Sequence, residues 1–272
     1  MIMIEIKGKI NTAICFAKMI DEVATEQIRR MCDHKFTEGS RIRIMPDVHA
    51  GKGCTIGTTM TITDKAVPNV VGVDIGCGMY TTSLGKSDID FERLDEAAHY
   101  IKSGMTVWDA EMESFDLKRL RCYDSLQKLN WLKCSLGTLG GGNHFIEVDA
   151  SSDGTKYLVI HSGSRNLGKQ VAEIYQERAV IQHKGIDDYK KERAELIRSL
   201  KESGETDKIQ TAIEELKHKK ECTKADMPED LCYLSGEAFN DYLHDIEICQ
   251  LFANRNRELM AEIILERTGM KG

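Results

Sequence analysis

Four segments of the chain combine metal-ligating or proton-moving side chains with glycines that let the backbone bend sharply. Pro46-Asp47-Val48-His49-Ala50-Gly51-Lys52-Gly53 exposes a carboxylate and an imidazole on a turn. Val71-Gly72-Val73-Asp74-Ile75-Gly76-Cys77-Gly78 sets Asp74 and Cys77 three residues apart, where a sharp bend would point both inward. Gly137-Thr138-Leu139-Gly140-Gly141-Gly142-Asn143-His144-Phe145-Ile146-Glu147 has three successive glycines, which allow close approach of a ligand and offer N–H groups to a phosphate. The fourth segment is His161-Ser162-Gly163-Ser164-Arg165-Asn166.

The chemistry that these types suit is that of a divalent metal. Asp74, Cys77, His144 and His161 supply a carboxylate, a thiolate and two imidazoles, a set that fits Zn, Mn, Fe or Co, and a thiolate between two cations can bridge them. Each alone has an ordinary explanation: a cysteine beside a strand is usually packing, and a histidine at a strand end is usually a surface or capping group. That explanation is preferred for His49. For the other four together, each in a glycine-rich loop beside a strand, the metal reading outweighs it. Arg165 and Lys169 could contact phosphates at a helix N-terminus, although taken alone they read as ordinary surface charges. His34, His99, His183, His218 and His244 sit in charged helical contexts and are read as structural or exposed. The glycines near Asp74 do not make a dinucleotide fingerprint, and the chain has neither a P-loop nor a Gly-x-Ser-x-Gly elbow.

These loops need strands and helices to hold them. Alternation at Ile4 and Ile6 predicts a strand within 2–10, and Ala24, Ile28 and Met31 mark a helix over Asp21–Cys32. Arg41–Met45 alternates as a half-exposed strand, and Gly57–Thr63 and Val70–Leu84 suit buried strands and tight loops. Asp90 would cap a helix reaching about Lys102, and Leu117–Leu132 also has helical spacing. Tyr157–Ile160 is a core strand delivering His161, followed by a helix over Gly168–His183. Residues 187–220 interleave Lys and Glu around sparse apolar positions with a break at Ser203-Gly204, which predicts a solvated helical hairpin inserted into a single domain spanning 1–272. Ser235–Arg267 places Phe239, Leu243, Ile246, Cys249, Phe252, Leu259 and Ile263 on one face of a long amphipathic helix stopped by Gly269. Strands and helices without a regular βαβ rhythm predict an α+β fold with sheets flanked by helices.

Composition narrows the class. With 41% apolar and 30% charged residues the chain is neither disordered nor fibrous. No apolar run is long enough to span a bilayer, and the N-terminus lacks a signal-peptide cleavage pattern, so a membrane or secreted protein is not expected. Nine scattered cysteines without a C-x-x-C pair predict reduced thiols and a cytoplasmic location. The net charge of −7 leaves nucleic-acid binding open, because a local basic groove does not show in an average.

Taken in order, Pro46-Asp47-x-His49-x-Gly51, Gly72-x-Asp74-x-Gly76-Cys77-Gly78, Gly137 through Phe145, and His161-x-Gly163-Ser164-Arg165 resemble the RtcB family of RNA ligases. Tyr242-Leu243-x-Asp245 and Phe252-Ala253-x-x-Asn256-Arg257 are similar to a later helix of that family, with Phe252 where Tyr is usual and Ile246 where Met is usual. The resemblance covers nearly the whole chain apart from the charged hairpin. It implies a ligase that joins an RNA 3′-phosphate or 2′,3′-cyclic phosphate to a 5′-hydroxyl with GTP and Mn²⁺, through a histidine–GMP adduct, with an archease-type activator protein as partner. Carried over by position, Cys77 would bridge two Mn²⁺ ions, Asp74 and His144 would complete one, and His161 would bind the other. Asn143 would hold a nucleotide phosphate, Phe145 and Glu147 would lie near the guanine, and Arg165 would meet RNA phosphate.

The family's nucleophilic histidine lies in a His-Gly-Ala-Gly motif, together with a third metal-binding histidine, in a part that these 272 residues do not contain. The chain therefore resembles the N-terminal portion of such a ligase and is expected not to guanylylate itself, and its last helix is expected to expose Phe239, Leu243 and Ile246. Three other readings use the same four ligands: a metal-dependent phosphoesterase acting on RNA ends without GTP, a non-catalytic RNA- or metal-binding module, and a zinc-stabilised structural domain.

Overall fold

The N-terminal alternation makes two strands instead of one, because Gly8–Asn11 turns the chain back on itself. β1 (Ile4–Lys7) pairs antiparallel with β2 (Thr12–Cys15), and the Gly8 N–H donates to the Asn11 carbonyl at 2.9 Å. The computed structural model describes residues 3–270 except Lys52, Ser87, 203–204, 206–207 and 223–226. It divides into two compact units, Met1–Val71 with Tyr175–Phe239, and Gly72–Ile174 with Asn240–Gly272.

In the first unit, Asp21 caps α1 (Glu22–Cys32) by accepting the Ala24 N–H at 2.7 Å. β3 (Ile42–His49) lies parallel to β2 and antiparallel to β4 (Ile56–Met60), giving a four-stranded sheet in the order β1-β2-β3-β4. The register of β3 shifts between Ile44 and His49, around Pro46, which has no N–H to give to a ladder. Ile6, Ile28, Met31, Ile42 and Ile44 form the core there, with Cys15, Cys32 and Cys54 filling small apolar spaces. A short ladder joins β5 (Lys65–Ala66), which precedes α2 (Pro68–Val71), to a later strand at Leu234–Ser235.

The second unit is built on a three-stranded antiparallel sheet. β6 (Gly78–Gly85) and β7 (Phe145–Ala150) flank β8 (Lys156–Ser162), and the register pairs Met79 and Phe145 with His161. Leu158 and Ile160 are fully buried on the other side of β8, so the period-two pleat turns His161 away from them. α3 (Phe91–Tyr100) begins at Asp90, whose carboxylate accepts the Arg93 N–H, as expected.

Residues 117–132 are not one helix. Two 3₁₀ turns, Leu117–Arg119 and Tyr123–Ser125, precede α4 (Leu129–Lys133). The Asp245 carboxylate captures the N–H groups of Arg121 and Cys122 at 2.8 and 3.0 Å, which a continuous helix would need for itself. Lys128, at φ 55°, then breaks the chain direction.

α5 (Arg165–Lys184) starts three residues earlier than its periodicity suggested. α6 (Ile186–Glu202) and α7 (Ile209–Cys222) pack together as the expected charged hairpin; its break at Ser203-Gly204 lies outside the described residues. β9 (Leu234–Ser235) leads into α8 (Gly236–Thr268), which Gly269 ends at φ 73°. α8 has one buried face, as expected, but that face includes polar residues: Tyr242, Asp245, Cys249, Phe252, Asn256, Met260 and Ile264, at spacings of three and four, are fully buried, as is Ala253 between them, while Leu243, Glu247, Gln250 and Asn254 are exposed. Of the residues expected to be exposed, Phe239 is buried, Ile246 is partly covered and Leu243 is 37% exposed. Among the described residues, no helix is long and apolar enough to cross a membrane.

Candidate metal centre

A tight turn explains the spacing of Asp74 and Cys77. The Cys77 N–H donates to the Asp74 carbonyl at 3.1 Å, closing a four-residue turn with Gly76 at φ 78°, the left-handed position that such a turn assigns to glycine. The two side chains thus leave adjacent points of the backbone, and His144 arrives from the end of the glycine loop. One ligand atom from each of Asp74, Cys77 and His144 lies within 4.8 Å of the other two. His144 Nε2 is 3.0 Å from Asp74 Oδ2 and 3.8 Å from Cys77 Sγ. His161 Nε2 also approaches Cys77 Sγ, at 3.5 Å, so both imidazoles reach the thiol, and their ring centroids lie 5.5 Å apart.

The hydrogen bonds of the rings suit a cation. His144 Nδ1 lies 2.9 Å from the Leu139 carbonyl, which can only accept, so Nδ1 carries a proton and Nε2 is the ring atom left to face Asp74 and Cys77. A carboxylate, a sulfur and an imidazole nitrogen facing one another fit a divalent metal, which would take the place of the proton shared between Nε2 and the carboxylate. His161 Nδ1 is buried without a hydrogen-bond partner among the described residues, and its ring packs against Phe145 at 5.2 Å.

Electrostatics point the same way. Burial opposes the charge of Asp74, but its bonds with His144 and the Cys77 thiol prevail and hold its carboxyl below the usual carboxylate range. Desolvation and the neighbouring Asp74 push the Cys77 thiol up to about 12, against the pull of Arg257 and the Gly78 N–H. A bound cation reverses that balance, since a coordinating thiol gives up its proton. Cys77 is the exposed member of the eight unbridged cysteines described; the other seven are buried.

Two polar residues of α8 tie the loops together. Asn256 Oδ1 accepts from the Gly137 and Thr138 N–H groups at 2.7 and 3.0 Å, while its amide donates to Thr138 O, Ser162 Oγ and Gly163 O. The Arg257 guanidinium donates to the carbonyls of Gly76 (2.8 Å) and Ser162 (2.6 Å), and burial holds its pKa below the usual arginine value. Asn256 and Arg257 drew notice in the sequence only as part of a motif.

The remaining candidates fall at different distances from the cluster. Arg165, at φ 58°, donates from Nε to Thr138 Oγ1 and from Nη2 to Gly104 O, and its Nη1 lies where a Cβ on Gly140 would be. Glu147 shares a sheet face with Phe145 and His161 and is exposed, as is Asn143 beside His144. Lys169 pairs with Glu173. His49 lies in the first unit, where its ring bonds the Asp47 carbonyl at 2.8 Å.

Residues 27–124 and 121–270 match the protein family described as tRNA-splicing ligase RtcB. The chain belongs to the RtcB family. It is similar to the RNA-splicing ligase RtcB of Escherichia coli K12, with 30% identity over 251 residues, covering 82% of this chain and 52% of that protein. It is also similar to the tRNA-splicing ligase RtcB of Methanococcus maripaludis (28% over 186 residues, 48% of this chain and 39% of that protein). A third relative is the RNA-splicing ligase RtcB homolog 2 of Entamoeba dispar (29% over 196 residues, 51% and 37%). The chain spans about half the length of its E. coli relative and less of the other two. Asp74, Cys77, His144 and His161 all lie within the residues that the family matches.

Proposed function

We propose that this chain supplies the metal-binding portion of a GTP- and Mn²⁺-dependent RNA ligase that joins RNA ends bearing a 3′-phosphate or 2′,3′-cyclic phosphate to 5′-hydroxyl ends. The observation that carries this is the convergence of Asp74, Cys77 and His144, with His161 Nε2 3.5 Å from the same thiol, in a chain of the RtcB family. Asp74 and His144 would hold one Mn²⁺, His161 the other, and Cys77 both. Bound there, the ions would neutralise phosphate charge. Leu139 holds the His144 Nδ1 proton, so that Nε2 is the atom that faces Asp74 and Cys77, and the turn at Gly76 keeps Asp74 and Cys77 on one side of the loop. Asn143 is assigned to a nucleotide phosphate, Phe145 and Glu147 to the guanine, and Arg165 Nη1 to an RNA phosphate.

The reading extends to the whole chain as one RtcB-like domain with 187–220 inserted, working in the cytoplasm with an archease-type activator. None of the eight histidines precedes Gly-Ala-Gly, so the guanylylated residue is not among these 272. The test is incubation of the chain with an RNA carrying a 2′,3′-cyclic phosphate, with Mn²⁺ and with or without GTP. RNA binding that weakens with salt, with no ligation and no opening of the cyclic phosphate, is expected. Metal-dependent turnover without GTP would favour the phosphoesterase instead.

A further inference from the structure

The bonds of Asn256 lead to both histidines of the cluster. Its side chain is fully buried, both lone pairs of Oδ1 are used, and the two amide hydrogens serve three acceptors, so its polar capacity is saturated. On one side it grips Gly137 and Thr138, next to Leu139, whose carbonyl takes the His144 Nδ1 proton. On the other it grips Ser162 and Gly163, which follow His161 directly. Ser162 Oγ closes the circuit by donating to the same Leu139 carbonyl at 2.8 Å.

We propose that Asn256 is a positioning residue for this site, its amide fixing the loop that carries His144 against the strand end that carries His161. Only an amide of this length both accepts and donates from one point. Aspartate has the same shape but loses every donation and buries a charge; an apolar residue strands the Gly137 and Thr138 N–H groups. The Co²⁺ readout below rests on the proposed metal centre, whereas the readout of the His144 Nδ1–H bond does not.

The experiment compares the wild-type chain, Asn256→Asp and Asp245→Asn by ¹⁵N-imidazole NMR without metal, and by Co²⁺ titration followed through thiolate-to-metal absorption. Asp245 is equally buried on the same helix and bonds Arg121 and Cys122, so its variant controls for loss of stability alone. The wild type should show His144 protonated at Nδ1. Asn256→Asp should loosen the Nδ1–H bond to Leu139, moving the His144 Nδ1 signal, and weaken Co²⁺ binding about 10- to 100-fold, as loss of supporting hydrogen bonds does at metal sites. Asp245→Asn should leave both signals at wild type. An unchanged Nδ1 signal in Asn256→Asp, or an equal change in Asp245→Asn, overturns the proposal. If Asn256→Asp does not fold, Asn256→Ser is read by the same criteria. Absence of Co²⁺ binding to the wild type would overturn the metal centre, and the Nδ1 comparison would still decide the role of Asn256.

Discussion

Gly163 makes room for the Asp74 carboxylate: a Cβ built on Gly163 would lie 2.1 Å from Asp74 Oδ1. The requirement is steric and local, because the carboxylate occupies the space that any other residue would fill. Gly163→Ala should therefore displace Asp74 from His144 and lower divalent-metal affinity by about 10- to 100-fold, the usual scale when a ligand loses its orientation. Mn²⁺ titration monitored by electron paramagnetic resonance, beside circular dichroism to verify the fold, measures this. Wild-type affinity in the variant would mean that Asp74 is not a ligand.

Stability should fall in alkali. Burial is the leading cause that raises the thiol pKa values of Cys32, Cys54 and Cys249, taking Cys32 from 9.0 to about 12, and burial raises the Tyr242 phenol as well. Above about pH 9 the unfolded chain releases these protons while the native chain keeps them, so unfolding gains ground as pH rises. The contribution is complete below the unfolded thiol value and is lost on the way up to about pH 12. Urea midpoints should drop steadily between about pH 8 and about pH 10.5; midpoints that hold level would show that these groups are solvated in the native state.

Lys128 holds a left-handed backbone at φ 55° just before α4, with its side chain exposed. That conformation costs an L-residue about 1 kcal/mol and glycine almost nothing. Lys128→Gly should stabilise the chain by roughly 0.5 kcal/mol once the larger entropy of an unfolded glycine is set against the relief. Thermal unfolding of the two proteins decides it, and a lower midpoint for the variant would contradict the strain.

What the sequence made legible follows from where the signal resides. Asp74 and Cys77 could be paired because a spacing of three with glycine between them is the signature of a tight turn, and the structure contains that turn. Asp90 announced its helix because a cap acts within three residues of itself. The anchor of His144 is a backbone carbonyl at Leu139, which leaves no mark on residue type. Asn256 acts on residues more than 90 positions away, beyond the reach of any local pattern. The 117–132 segment misled because its spacing is helical, yet a distant carboxylate, Asp245, captures the N–H groups that a helix needs. α8 was legible as a helix with one buried face, but hydrophobic spacing alone did not place Asp245 and Asn256 on that face, where they are buried with their partners.

The central claim, that this chain carries the metal-binding part of an RtcB-type site without its nucleophile, is tested most directly by native mass spectrometry after incubation with Mn²⁺ and GTP. Wild-type chain should retain Mn²⁺, Cys77→Ser should retain less, and neither should gain the mass of a covalent GMP. A GMP adduct on the chain, or equal metal retention by Cys77→Ser, would contradict it.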